Sequence, residues 1–122
     1  MEDYKKEIEK LKYQIRLVGE TIDYKSNPIL SLVIELDWGE GDLESAHDIF
    51  EEYDNKLEKN EDVNWTEFEF RLRDRFEIGY QTVKSIILAF YRNHQWRRVC
   101  KGYAKEHDVM EFKEINYGKN AI

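Results

Sequence analysis

Tyr4-Lys5-Lys6-Glu7-Ile8-Glu9-Lys10-Leu11-Lys12-Tyr13-Gln14-Ile15-Arg16-Leu17-Val18-Gly19-Glu20-Thr21-Ile22 is the stretch on which the fold turns. Its residues Tyr4, Ile8, Leu11, Ile15, Val18 and Ile22 recur at steps of 4, 3, 4, 3 and 4. That spacing places them on one stripe of an α-helix and matches a heptad seam. Ile8, Ile15 and Ile22 fall at a positions, and Leu11 and Val18 at d positions. Lys5 and Lys12 fall at e, Glu7 and Gln14 at g. Glu7 of one parallel helix would then face Lys12 of a partner, the pairing that heptad flanks use. Two readings stay open. The seam packs on later helices of its own chain, or Ile8, Leu11, Ile15, Val18 and Ile22 meet a second copy as a homodimer or homotrimer. Three heptads are marginal alone, so the rest of the fold must assist.

Outward from this helix, the chain reads as all-α: a compact array of five to six helices, with the long first helix used for self-association. The first helix is expected over about residues 2–23. Gly19 inside it costs roughly 1 kcal/mol of helix propensity against Ala; a small residue there either allows close helix approach or loosens the helix. Lys25-Ser26-Asn27-Pro28 is a break and restart, with Ser26 or Asn27 as cap and Pro28 in the first turn. The second helix, about 28–37, is apolar nearly all round and is expected to be the buried central helix. Gly39 suits a left-handed helix end, and Asp42 a cap for the third helix, about 43–59. Leu43, Ala46, Ile49, Phe50, Tyr53 and Leu57 form its inward stripe.

Asn64, followed three residues later by Glu67, opens a fourth helix over about 65–76 in the manner of a capping box. Trp65, Phe68, Leu72 and Phe76 point inward on it. A fifth helix, about 81–91, is buried through Val83, Ile86, Ile87 and Phe90. A sixth, about 95–105, carries Trp96, Val99, Cys100 and Tyr103 on one stripe. Residues 1–107 are read as the domain. Residues 108–122 are read as a tail that forms a short helix or an extended arm.

Charge is distributed unevenly. The chain has 122 residues and a net charge of −7. Residues 35–70 hold fourteen acidic and two basic side chains, whereas residues 71–105 hold nine basic and two acidic. Opposite charges meeting inside the fold or across subunits would account for this. A second reading gives the basic region an anionic partner, nucleic acid included, through Arg71, Arg73, Arg75, Arg97, Arg98 and Lys101. The aromatics beside these arginines fall on the core stripe, and a pI near 5.0 argues against it. A third reading takes the acidic third helix as a nucleic-acid mimic of the kind a phage-type inhibitor presents.

Specific residues are similar to those of a known family. Leu11-Lys12-Tyr13-Gln14-Ile15-Arg16-Leu17, Thr21-Ile22-Asp23 and Asn27-Pro28 with the apolar helix that follows resemble the YhaI-like family of small uncharacterised proteins from Gram-positive bacilli. Ser85-Ile86-Ile87-Leu88-Ala89-Phe90-Tyr91 and Trp96-Arg97-Arg98-Val99 look like that family's last helical hairpin. The resemblance covers roughly residues 7–107. It implies an all-helical fold and self-association through the first helix, and no activity. The acidic density of the third helix, the arginines at 71, 73 and 75, and the tail after His107 depart from the family pattern.

No reaction motif accompanies this. Glu44 and His47 make one Glu-x-x-His step, but a di-iron bundle needs two such steps and further carboxylates. Cys100 sits on an apolar stripe and reads as a structural thiol, because no base or oxyanion site is patterned around it. No phosphate loop, nucleophile elbow or paired-cysteine metal spacing occurs. The expectation is a non-enzymatic protein without cofactor or metal, acting through protein interaction. No apolar run reaches the roughly 20 residues of a membrane span, and a single cysteine suits a reducing cytoplasm.

Overall fold

The computed structural model describes residues 2–23 and 25–118. Among them lie seven α-helices and one 3-10 turn, and no strand. The helices are α1 (Glu2–Glu20), α2 (Pro28–Glu35), α3 (Glu40–Glu58), α4 (Trp65–Phe76), α5 (Tyr80–Arg92), α6 (Arg97–Lys105) and α7 (Lys113–Tyr117), with the 3-10 turn at Met110–Phe112. The all-α reading therefore stands. The helix number is seven rather than five or six, because the segment after His107 folds.

The local chemistry explains most boundaries. Asn64 accepts a hydrogen bond from the Glu67 backbone N–H at 3.1 Å and caps α4. Pro28 occupies the first turn of α2, where a missing N–H leaves no bond unmade. Asn27 precedes it without a side-chain cap; Asp23 holds the turn instead, accepting from the Lys25 N–H at 2.9 Å and from Ser26 Oγ at 3.1 Å. These two bonds hold the Asp23 carboxyl below its usual range. Two expected roles are exchanged at the start of α3. Gly39 is extended and serves as N-cap, while Asp42 sits within the first turn and accepts from the Gly39 N–H at 2.9 Å. The left-handed residue after α2 is Asp37, at φ 56°.

The centre of the molecule is α5, not α2. Helix α5 packs against α2, α4, α6 and the 3-10 turn, and Val83, Ile86, Ile87 and Phe90 on it are wholly buried. Helix α2 buries only Pro28 and Leu32. An eight-residue helix that is apolar all round still needs neighbours on every side to be buried, and α2 has them chiefly toward α5 and α1.

The core is aromatic. Phe50 meets Phe68 edge-to-face at 5.2 Å and Phe90 at a tilt at 4.7 Å, and Tyr53 meets Phe68 edge-to-face at 4.9 Å. Such pairs contribute about 0.5–1.5 kcal/mol each beyond area burial. Tyr53 and Tyr103 bury their rings and direct their hydroxyls to carboxylates: Tyr53 Oη donates to Glu67 at 2.9 Å and Tyr103 Oη to Glu69 at 2.6 Å.

Residues 108–118 belong to this same core. Phe112 is fully buried and Ile115 nearly so. Asn116 Nδ2 donates to the Ala104 carbonyl at 3.0 Å, and Glu111 accepts from the buried Lys84 ammonium at 2.7 Å. A boundary after residue 107 thus does not divide the packing. Of the two forms expected for the tail, a short helix is the one present; positions 119–122 lie outside the described residues.

Candidate functional site

Helix α1 buries none of its residues. Ile8, Leu11, Ile15 and Val18 are 51–61% exposed. The seam that the sequence marks therefore faces outward as a stripe on a helix about 28 Å long. Ile22 is excluded from it. Helix α1 ends at Glu20, and Ile22 lies half-buried in the turn beyond, its N–H donating to the Gly19 carbonyl at 3.2 Å.

The helix is fixed to the body at its C-terminal end. A Cβ on Gly19 would stand 2.8 Å from Ile34 Cγ2 of α2. Glycine allows the two helices to touch there. Beyond this contact α1 and α2 diverge and leave an open groove of about 690 Å³, with Ile15, Gly19 and Ile34 as its apolar part and Lys12, Arg16 and Glu35 on its rim. Leu30, one helical turn before Ile34, is also half exposed. Sequence reasoning assigned Leu30 and Ile34 to the core. The available signal was the all-round apolarity of α2, which is too much for an eight-residue helix with few neighbours.

Along α1 the charges pair within the helix: Lys10 with Glu7 at 3.3 Å and Lys12 with Glu9 at 4.0 Å. All four side chains are well exposed, so these contacts are weak and can exchange for contacts to a partner.

Four of the six basic positions bond carboxylates of the same chain, and Arg71 and Arg75 line one groove with Ser45, Asp48 and Asp74. Arg71 pairs with Glu52 at 2.6 Å, Arg73 with Glu69 at 3.2 Å, Arg75 with Asp42 at 3.2 Å, and Arg98 with Asp54 through two bonds of 3.1 Å. Three of these four carboxylates lie on α3, so the acidic helix and the basic region meet within one chain. The bond to Glu52 raises the Arg71 pKa, and the bond to Asp54 raises that of Arg98. Lys101 lines a separate groove with Lys105, Asp108 and Tyr117. Arg97 stands apart, its guanidinium 4.2 Å from the Tyr91 ring centroid.

Of the remaining candidate groups, Cys100, His47 and His107 pack within the fold. Cys100 is fully buried, and burial pushes its thiol pKa far up, against a smaller opposing effect of Arg97. His47 packs edge-on to Phe90 at 5.4 Å and to Trp96 at 6.0 Å, while Glu44 is exposed. His107 stacks on Tyr103 at 4.2 Å, with Nδ1 2.9 Å from the Tyr103 carbonyl. Among the described residues no group of three or more His, Cys, Asp or Glu is placed to hold a metal ion, and no helix is long and apolar enough to cross a membrane.

No family model, curated protein or solved structure matches this chain.

Proposed function

We propose that this protein is a non-enzymatic interaction protein that assembles with copies of itself through α1. One observation carries the reading: Ile8, Leu11, Ile15 and Val18 form a heptad stripe on a 19-residue helix that buries nothing. A helix of that length is marginal in water without packing, and its contact with the body is concentrated at Gly19. A second copy of the stripe supplies the missing apolar partner. The parallel orientation is preferred because it sets Glu7 at g against Lys12 at e, whereas an antiparallel pair brings the e-position lysines, Lys5 and Lys12, toward one another. Ile at a with Leu at d favours two strands; Val18 at d leaves three open.

The resemblance to the YhaI-like family agrees with this reading, since it implies the same use of the first helix. A cytoplasmic location suits the single thiol of Cys100. The pairing of Arg71, Arg75 and Arg98 with α3 gives the opposed charge blocks a role within the fold, and so favours neither an extended nucleic-acid surface nor a nucleic-acid mimic.

Sedimentation equilibrium tests the proposal. Wild-type protein is expected to sediment as a dimer or trimer, and Ile15→Asp, which places charges at the seam, as a monomer whose core stays folded and whose loss of helical content is confined to α1. A wild-type monomer at high micromolar concentration would sink it.

A further inference from the structure

We propose that a pocket between the α1–α2 turn, α5, α6 and α7 binds the phosphate group of a small organic phosphate. The pocket is lined by Lys25, Tyr91, Arg92, Arg97 and Glu114 and has a volume of about 500 Å³. Among the described residues three of its lining side chains are cationic and one anionic, in a chain whose net charge is −7. Like charges gathered on one concavity raise its positive potential and draw an anion to it.

Arg97 is the centre of the site. The other arginines of α4, α5 and α6 each bond a carboxylate: Arg71, Arg73, Arg75 and Arg98 as described, and Arg92 to Glu114, with its Nε 3.1 Å from Oε1. Among the described residues no carboxylate pairs with Arg97. It lies over the Tyr91 ring instead, and its Nε is buried without a hydrogen-bond partner. The contact with Tyr91 restricts the guanidinium, leaving its terminal nitrogens as the donors an oxyanion would take. The guanidinium fork matches two oxygens of a phosphate, and Lys25, also in the lining, adds a point charge on a flexible stem. Glu114 is the one opposing charge among the described lining residues; it and Arg92 neutralise each other through their bond, which leaves Arg97 and Lys25 as the charges that face an anion. The volume falls within the range of small-molecule sites, about 300–1,000 Å³, and exceeds what a bare phosphate needs. An organic phosphate, with its non-phosphate part in the open half of the pocket, is the ligand class that fits.

This site is independent of α1 assembly, and its test does not depend on it. Protein labelled with ¹⁵N is titrated at low salt with inorganic phosphate and, separately, with a nucleoside 5′-monophosphate, following the Arg97 Nε–H signal. A saturable shift within the millimolar range is expected with both, and at lower concentration with the nucleotide. Equal affinities would also support the site, with free phosphate as its ligand. Arg97→Gln should weaken binding roughly tenfold or more, the worth of a hydrogen bond to a charged group. Lys25→Gln, on an exposed turn where folding is not at stake, should weaken it by a smaller factor. The proposal is overturned if neither ligand gives a saturable shift, or if affinity is the same in folded Arg97→Gln or in Lys25→Gln as in wild type.

Discussion

Gly102 of α6 lies against the indole of Trp65 at the start of α4, so closely that a Cβ at residue 102 would fall 2.7 Å from Cη2 and 2.9 Å from Cε2 of the ring. The half-buried ring also meets Phe68 at 5.5 Å and Tyr53 at 6.4 Å, so admitting a Cβ means displacing it from these contacts. Gly102→Ala is therefore expected to destabilise the protein by about 1–3 kcal/mol. The roughly 1 kcal/mol by which Ala exceeds Gly in helix propensity reduces the loss without reversing it. Urea unfolding measures the difference; a stabilised variant would mean that α6 does not approach Trp65 this closely.

Helix α1 and the core should respond differently to truncation. Leu72 is fully buried, and Leu72→Ala should cost about 2–5 kcal/mol. Ile15→Ala, at a concentration low enough to populate the monomer, should change stability by no more than roughly 0.5 kcal/mol, as at other exposed positions. A loss at Ile15 comparable to that at Leu72, under those conditions, would place the seam against its own domain.

Orientation of the assembly is open to cross-linking. In a parallel pair Tyr4→Cys brings two thiols together near the helix start, within the roughly 4.4–6.8 Å Cα separation a disulfide tolerates. In an antiparallel pair the same positions stand at opposite ends of helices about 28 Å long. Oxidised Tyr4→Cys is expected to run as a covalent dimer on a non-reducing gel. A monomer band from protein that sediments as a dimer would exclude the parallel register.

Alkaline pH should weaken the fold through Tyr53. Burial first, and then the hydrogen bond to Glu67, push its phenol up to about 12 from an ordinary value of 10.0. A group whose folded pKa is raised contributes stability below its unfolded pKa and loses it as pH rises through the folded one. Stability should decline between these two values, and Tyr53→Phe should flatten that decline. An ultraviolet titration in which all tyrosines ionise together near 10 while the protein remains folded would contradict the burial of Tyr53.

Acid should loosen the C-terminal segment. The Lys84 ammonium, 2.7 Å away, holds the Glu111 carboxyl below its ordinary 4.5. The sign is opposite to that of Tyr53: the contribution is present above 4.5 and is lost as pH falls through the lower folded value. Glu111→Gln should remove this acid dependence and speed amide exchange in residues 110–117 at neutral pH. Exchange identical to wild type would mean that the pair does not tether the segment.

Much of the fold was legible in the residues. Apolar residues at 3.6-residue spacing, with Asn64 and Pro28 at helix starts, locate α1 to α6 within a few positions, because periodicity and caps are local properties of the chain. The inward stripes of α3, α5 and α6 follow from the same periodicity, and Cys100 reads as a buried thiol from its place on one. The asymmetry of charge between residues 35–70 and 71–105 is likewise plain in the sequence.

What the tertiary structure decided is which apolar faces find partners. The sequence marks α2 as more apolar than α5, yet α5 holds the centre, since burial depends on how many neighbours surround a helix as well as on its composition. The seam on α1 remains outward, while the helix touches α2 where Gly19 lies against Ile34, an approach set by two residues fifteen positions apart. Arg97 and Arg98 are adjacent and chemically alike, but successive residues on a helix point about 100° apart. One reaches Asp54 and the other lies on Tyr91 beside Lys25. That separation, invisible in a count of basic residues, puts one of the two on a paired surface and the other in a pocket.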